Sequence, residues 1–91
     1  MEIKYTPQFL HKLEDIFAES EYILRYERGN FHSGYCILKD TNIAIINKFL
    51  PVEGKINCLI DILKSIKIDA GKISEKNRKF YLELTQTRLE L

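Results

Sequence analysis

The chain has 91 residues, of which 45% are hydrophobic and 30% are charged, and this composition is typical of one small globular domain spanning residues 1–91. Fourteen Lys and Arg residues against 13 Asp and Glu residues give a net charge of +1, so the chain as a whole has no field that would attract nucleic acid or an anionic membrane. The longest strongly apolar run, around 43–46, is far below membrane-spanning length, which excludes a transmembrane protein of the helical type.

The first predicted element is a helix over residues 7–20. Thr6 can accept a hydrogen bond from a free amide of the first turn, and Pro7 fits the first helical position. Apolar residues recur at helical spacing and form one stripe: Phe9, Leu10, Leu13, Ile16 and Phe17. We therefore expect an amphipathic helix that packs through one face.

Three strands are predicted next, over residues 22–28, 35–39 and 43–50. In the first, Tyr22, Leu24 and Tyr26 alternate with polar residues, which is the period of a strand. Residues 29–34 form a loop rich in turn-forming types, and residues 40–42 form a tight turn. The third strand is apolar on both faces, with Ile43, Ile45 and Phe49 on one and Ala44, Ile46 and Leu50 on the other. Both faces of that strand need cover.

Two further helices follow. Pro51 ends the third strand, and a helix over 52–66 has apolar residues around roughly half of its circumference, wider than the usual stripe. Ser74 can cap a third helix with Phe80, Tyr81 and Leu84 facing inward. A fourth strand is the alternative there, because alternate residues from Phe80 to Leu84 are also apolar.

The predicted fold is therefore a small single α+β domain of order α-β-β-β-α-α. We expect the three strands to form an antiparallel meander, covered on one face by the first two helices. Cys36 and Cys58 are too few for a disulfide framework, and each lies in an apolar pattern. We expect core thiols that are not disulfide-bonded in a soluble, cytoplasmic protein, since the N-terminus also lacks a signal-peptide pattern.

No motif with a required chemical spacing is present. Gly29 and Gly34 have the spacing that opens a phosphate-binding loop, but Tyr35 and Cys36 follow where Lys and Ser or Thr are needed. The potential metal ligands His11, His32, Cys36 and Cys58 lack zinc-site spacing. Cys36, His32 and Glu27 offer the residue types of a nucleophilic site without any signal of thiol activation. We expect no catalytic, cofactor or metal site, and a small enzyme using Cys36 or His32 is the least favoured function.

The best candidate recognition surface is the predicted hairpin between the first two strands. Arginine binds carboxylates and phosphates bidentately, an aromatic ring can stack, and loop amides and imidazoles supply hydrogen bonds. The alternative is an ordinary polar hairpin in which Arg25 and Glu27 pair across the sheet or with water. The candidate residues are Arg25, Glu27, Arg28, Asn30, Phe31 and His32.

A second candidate surface is a basic patch at the start of the third helix. It consists of Lys72, Lys76, Arg78 and Lys79. Phosphates of RNA or DNA could use these charges, with modest and strongly salt-dependent affinity. Binding of nucleic acid is thus possible, but it is not favoured.

The favoured function is a non-enzymatic protein-protein interaction module that self-associates, most simply as a homodimer. The third strand is apolar on both faces, the second helix is apolar over half its circumference, and a chain this short removes a limited fraction of its surface from water. A dimer through the sheet face or through the second helix would cover these surfaces. No membrane partner is expected.

Overall fold

The computed structural model describes residues 2–28 and 34–86. Three helices and a three-stranded sheet make up an α+β architecture, as predicted. The elements in chain order are α1 (Pro7–Glu19), β1 (Ile23–Glu27), β2 (Tyr35–Leu38), β3 (Ile43–Asn47), α2 (Val52–Ser65), a 3-10 turn (Ala70–Lys72) and α3 (Glu75–Gln86). The alternative of a strand near the C-terminus is wrong as far as Gln86, because α3 continues to that residue.

Helix boundaries follow the local signals of the sequence. The Thr6 side chain accepts a hydrogen bond from the Phe9 N–H at 3.1 Å, and Pro7 is the first helical residue. At the start of α3, the Ser74 hydroxyl accepts from the Asn77 N–H at 3.3 Å. Pro51 ends the preceding segment and directly precedes α2, as expected of a residue without a backbone donor.

The predicted antiparallel meander is wrong. The strand order is β1-β3-β2, with β1 parallel to β3 and β2 antiparallel to it, so the sheet is mixed. The physical reason is the composition of β3, which is apolar on both faces and therefore favours the central position, where Ala44 and Ile46 are completely buried. Strand β1, in which exposed and partly buried residues alternate at the start, and strand β2, which has four residues, lie at the edges.

Both α1 and α2 pack on the same face of the sheet. Tyr26 of β1 donates its hydroxyl hydrogen bond to Glu14 of α1, and the Lys55 ammonium of α2 lies 5.3 Å from the centre of the Tyr26 ring. Burial and Glu14 together raise the pKa of Tyr26, so its hydroxyl remains a donor across the physiological range. Tyr35 of β2 lies on this face as well, since it pairs with Ile46 as Tyr26 does.

The wide apolar face of α2 is covered from within the chain. It packs against α1, α3 and β3 and lies in one buried cluster with both other helices. In that cluster, the rings of Phe9 of α1 and Phe80 of α3 meet edge to face with centroids 5.4 Å apart. This helix therefore needs no partner chain. Its buried residues are Ile56, Cys58, Leu59, Ile60, Ile62 and Leu63.

The junction between α1 and α3 is held by polar contacts. The Ser74 N–H donates to the Glu19 carboxylate at 2.8 Å, so the end of α1 caps the start of α3. Arg78 returns from α3 to donate to the backbone carbonyls of Ala70 at 2.8 Å and Ile73 at 3.2 Å. These bonds fix the 3-10 turn against the third helix.

Replacing Gly34 by alanine should destabilise the protein by about 1 to 3 kcal/mol. Gly34 has a φ of +87°, and an added Cβ would lie 3.0 Å from Leu50 Cδ1 and 3.1 Å from Cys58 Sγ. Urea unfolding of Gly34→Ala measures the loss. Gly54→Ala is the matched control, because a helical site gains from the propensity of alanine and should lose less. An equal loss in the two variants would contradict this account of Gly34.

Replacing Glu19 by glutamine should remove a stabilising contribution that depends on pH. The hydrogen bonds from the Ser74 N–H and the Asn77 side chain lower the pKa of Glu19 below 4.5. A carboxyl whose pKa is lower in the folded state stabilises the fold above its unfolded pKa, and this contribution is lost as pH falls through the folded pKa. The difference in unfolding free energy between wild type and Glu19→Gln should thus shrink from about pH 7 to about pH 3.

The control for this measurement is Glu2→Gln, which replaces an exposed carboxylate ahead of α1. It should change stability little at either pH. A wild-type advantage over Glu19→Gln that stays constant across the range would show that the charge of Glu19 is not the cause.

Candidate interaction surface

The second face of the sheet carries the other alternate residue of each strand. We call this surface the open sheet face, because both helices that pack on the sheet lie on the opposite side. Strand register arranges it in rows across β1, β3 and β2. The rows are Ile23, Ile43 and Leu38; then Arg25, Ile45 and Cys36; then Glu27 and Asn47.

The open sheet face is apolar at one end and polar at the other. Ile23 is 56% exposed and Leu38 is 43% exposed, although both flank the half-buried Ile43. Exposed aliphatic side chains in one contiguous row are typical of an interaction surface rather than of scattered surface residues. Within the described residues, this row is the apolar end of a face that no helix covers.

The charges on the open sheet face compensate each other. Arg25 and Glu27 form an ion pair between neighbouring side chains on the same side of β1, with 55% and 40% of the side chains exposed. Such an exposed pair contributes little to stability. It does leave the face without net charge, so the face does not repel a second copy of itself.

The structure divides the candidate recognition surface. Arg25 and Glu27 lie on the open sheet face and pair with each other along β1. The predicted hairpin itself is wrong, because β3 lies between β1 and β2. Arg28 follows β1, and its guanidinium lies 5.7 Å from the centre of the Phe49 ring. The remaining candidates, Asn30, Phe31 and His32, lie outside the described residues.

Phe49 and Lys48 join Arg28 at this end of the sheet, and neither was assigned to a site from the sequence. Phe49 is 65% exposed, with the Lys48 ammonium 5.4 Å from its ring centre. The parallel pairing of β1 and β3 brings these residues together, since the Lys48 N–H donates to the Glu27 carbonyl at 3.0 Å. The feature of the sequence that favours pairing of β1 with β3 is the apolar composition of both faces of β3.

The candidate basic patch is reduced by internal contacts. Lys72 forms an ion pair with Glu21 at 2.9 Å, and Arg78 is bonded to two backbone carbonyls. Lys76 and Lys79 line a shallow depression with Lys12 of α1, whose ammonium lies 4.5 Å from the Phe80 ring centre. Two of the four predicted cations, Lys72 and Arg78, therefore already have partners within the chain.

The two thiols have different surroundings. Cys58 is buried, as expected, and burial together with the Asp61 carboxylate raises the pKa of its thiol, which disfavours the nucleophilic thiolate. Cys36 is only partly buried and lies on the open sheet face, not in the core. Its predicted partner His32 is outside the described residues, and Glu27 is paired with Arg25.

Within residues 2–28 and 34–86, no three His, Cys, Asp or Glu side chains gather closely enough to hold a metal ion. Over the same residues, no helix combines the length and the apolar character needed to cross a membrane. No family model, curated protein or solved structure matches this chain.

Proposed function

We propose that the protein is a non-enzymatic interaction module that self-associates as a homodimer through the open sheet face. One observation carries the proposal: the helices that pack on the sheet lie on one side, and the other side exposes Ile23 and Leu38 beside Ile43. The helix α2 is a weaker candidate interface, because its apolar residues are already buried within the chain.

The rows of the open sheet face suit a second copy of the chain. In an isologous dimer each patch meets itself, so apolar residues must be able to contact their own equivalents. A two-fold axis near the row of Ile23, Ile43 and Leu38 would bring two apolar rows together. Two such sheets would pack about 10 Å apart, with strands crossing at about 30°. The neutral pair of Arg25 and Glu27 lies beside this contact.

The size of the face sets the expected affinity. Three strands of up to five residues make a face of roughly 17 by 14 Å, or about 240 Å² in projection. A stable interface of standard size buries about 800 Å² per partner. The open sheet face is thus expected to give a reversible dimer with a Kd in the micromolar range or weaker, and flanking residues such as Phe49 would add to the contact.

The proposed setting is the cytoplasm. Cys36 and Cys58 form no disulfide in the described part of the chain, which suits a reducing compartment. Nucleic-acid binding through the basic patch has less support than self-association, because Lys72 and Arg78 already have partners within the chain.

Lysine substitutions at the exposed apolar ends of the row should weaken the dimer. Ile23→Lys and Leu38→Lys each place a charge where an aliphatic side chain would be buried, a burial worth about 1.5 to 3 kcal/mol. The Kd should rise at least about tenfold in each variant. Sedimentation equilibrium between about 10 μM and about 1 mM measures it.

The matched control is Leu82→Lys, since Leu82 is 41% exposed on α3, away from the sheet. This variant should dimerise like the wild type. Urea unfolding of all three variants checks that they remain folded. The proposal is contradicted if the wild type is monomeric throughout the range. It is also contradicted if Leu82→Lys loses as much dimer as Ile23→Lys and Leu38→Lys.

A further inference from the structure

A groove of about 540 Å³ runs between α1 and β1. Residues of β1 line it together with residues of α1 and of the connection between them, and none of the lining residues belongs to β3. The groove therefore lies along the outer side of β1, which is an edge strand of the described sheet. Its lining consists of Glu14, Phe17, Ala18, Ser20, Glu21, Tyr22, Ile23, Leu24 and Tyr26.

The outer side of β1 presents hydrogen-bonding groups of the backbone. The Ile23 N–H donates to the Asn42 carbonyl at 2.8 Å, and the Glu27 carbonyl accepts from Lys48. In a strand the direction of these groups alternates, so the backbone groups of residues 23, 25 and 27 face β3. The N–H and C=O of Leu24 and Tyr26 consequently point to the outer edge, where a further strand could pair with them.

The groove has a definite chemical character. Ala18 and Leu24 supply an apolar surface above the buried Phe17, and the small side chain of Ala18, exposed on α1, leaves room above the strand edge. Glu14 and Glu21 are the charged lining residues, and no Lys, Arg or His is among them. Glu21 is paired with Lys72, and Glu14 accepts the hydrogen bond of the Tyr26 hydroxyl, so a basic segment would compete with Lys72 at Glu21 and add a charge beside Glu14. The groove is therefore complementary to a segment that is extended, partly apolar and basic.

We propose that this groove binds an extended basic segment of another protein, which adds to the sheet as a fourth strand beside β1. Its backbone would pair with Leu24 and Tyr26, and its alternate side chains would enter the groove. Lysine or arginine side chains of the segment would reach Glu14 and Glu21, while apolar ones would contact Ala18 and Leu24. This site uses the edge of β1 and its helix-facing residues, and it shares Ile23 with the open sheet face. Leu38 of that face does not line the groove, so a substitution there tests the dimer separately.

A second copy of this chain is a poor occupant of the groove. Pairing of two β1 strands about a two-fold axis would bring Glu14 and Glu21 of both copies to one junction. In the register centred on Arg25, that residue would also lie directly opposite its own equivalent. Repulsion between the glutamates of the two copies, and between the two Arg25 side chains, opposes this self-pairing. A basic segment would instead attract Glu14 and Glu21.

The test uses a synthetic peptide of about eight residues in which every second position carries lysine and valine in turn, with threonine between them, so that both types face the groove. Binding is followed through the backbone amide signals of the isotope-labelled full chain in two-dimensional NMR. The peptide should shift the amides of Leu24 and Tyr26 in a saturable manner. The same peptide with glutamate in place of lysine should not bind. N-methylation of the alternate amides that face β1 should abolish binding of the basic peptide, because it removes the strand pairing.

The variant Ala18→Arg should weaken binding of the basic peptide at least about tenfold, since it fills the groove and adds a positive charge. Asp15→Asn is the matched control: it raises the net charge by one unit on the same helix, at an exposed position outside the groove lining. Its affinity should stay near that of the wild type. The variant Leu38→Lys, expected to disrupt the dimer, should still bind the peptide, which separates the two proposals.

Three results would overturn the inference. The first is absence of saturable shifts at Leu24 and Tyr26. The second is binding that N-methylation does not affect, which would indicate nonspecific attraction to acidic residues. The third is a loss of self-association in Ala18→Arg during sedimentation, which would make a second copy of the chain the occupant of the groove.

Discussion

The central position of β3 is the constraint on which the other elements depend. Its side chains are apolar on both faces, and the central position pairs both of its backbone edges and places a neighbouring strand on each side of its side chains. Ala44 and Ile46 are completely buried under the helical layer, and their burial fixes where α1 and α2 must pack. With β3 in the middle, β1 and β2 are the edge strands. Because β1 and β3 are parallel, their C-terminal ends lie on the same side of the sheet.

The helical layer is one-sided, and this determines which apolar surface is left. The broad apolar face of α2 packs against α1, α3 and the sheet, so the helices bury one another. Within the described residues, no helix packs on the second sheet face. Strand β1 then has two distinct sides. Ile23 and Arg25 belong to the open sheet face, whereas Leu24 and Tyr26 belong to the helical side and present their backbone to the outer groove. Alternation along five residues thus separates most of the two proposed contacts, which share Ile23 at the start of the strand.

The candidate sites were only partly predictable, because residues that are close in sequence can have side chains that point in different directions. Arg25 and Arg28 are three residues apart in the chain, yet one pairs with Glu27 and the other lies over Phe49. Arg78 resembles Lys76 and Lys79 in charge, but its guanidinium fork bonds the carbonyls of the 3-10 turn. The groove beside β1 had no sequence signal of its own, since it arises from the distance between a helix and an edge strand.

The sequence by itself determined the elements. The positions of α1, α2 and α3, the three strands and their alternation follow from capping residues, proline and the period of apolar side chains, which are local interactions between near neighbours. Strand order was decided only in the tertiary structure. Periodicity tells which face a residue occupies but not which strand lies beside it, and pairing β1 with β3 rather than with β2 depends on burying the doubly apolar strand. The open sheet face and the groove follow from that choice.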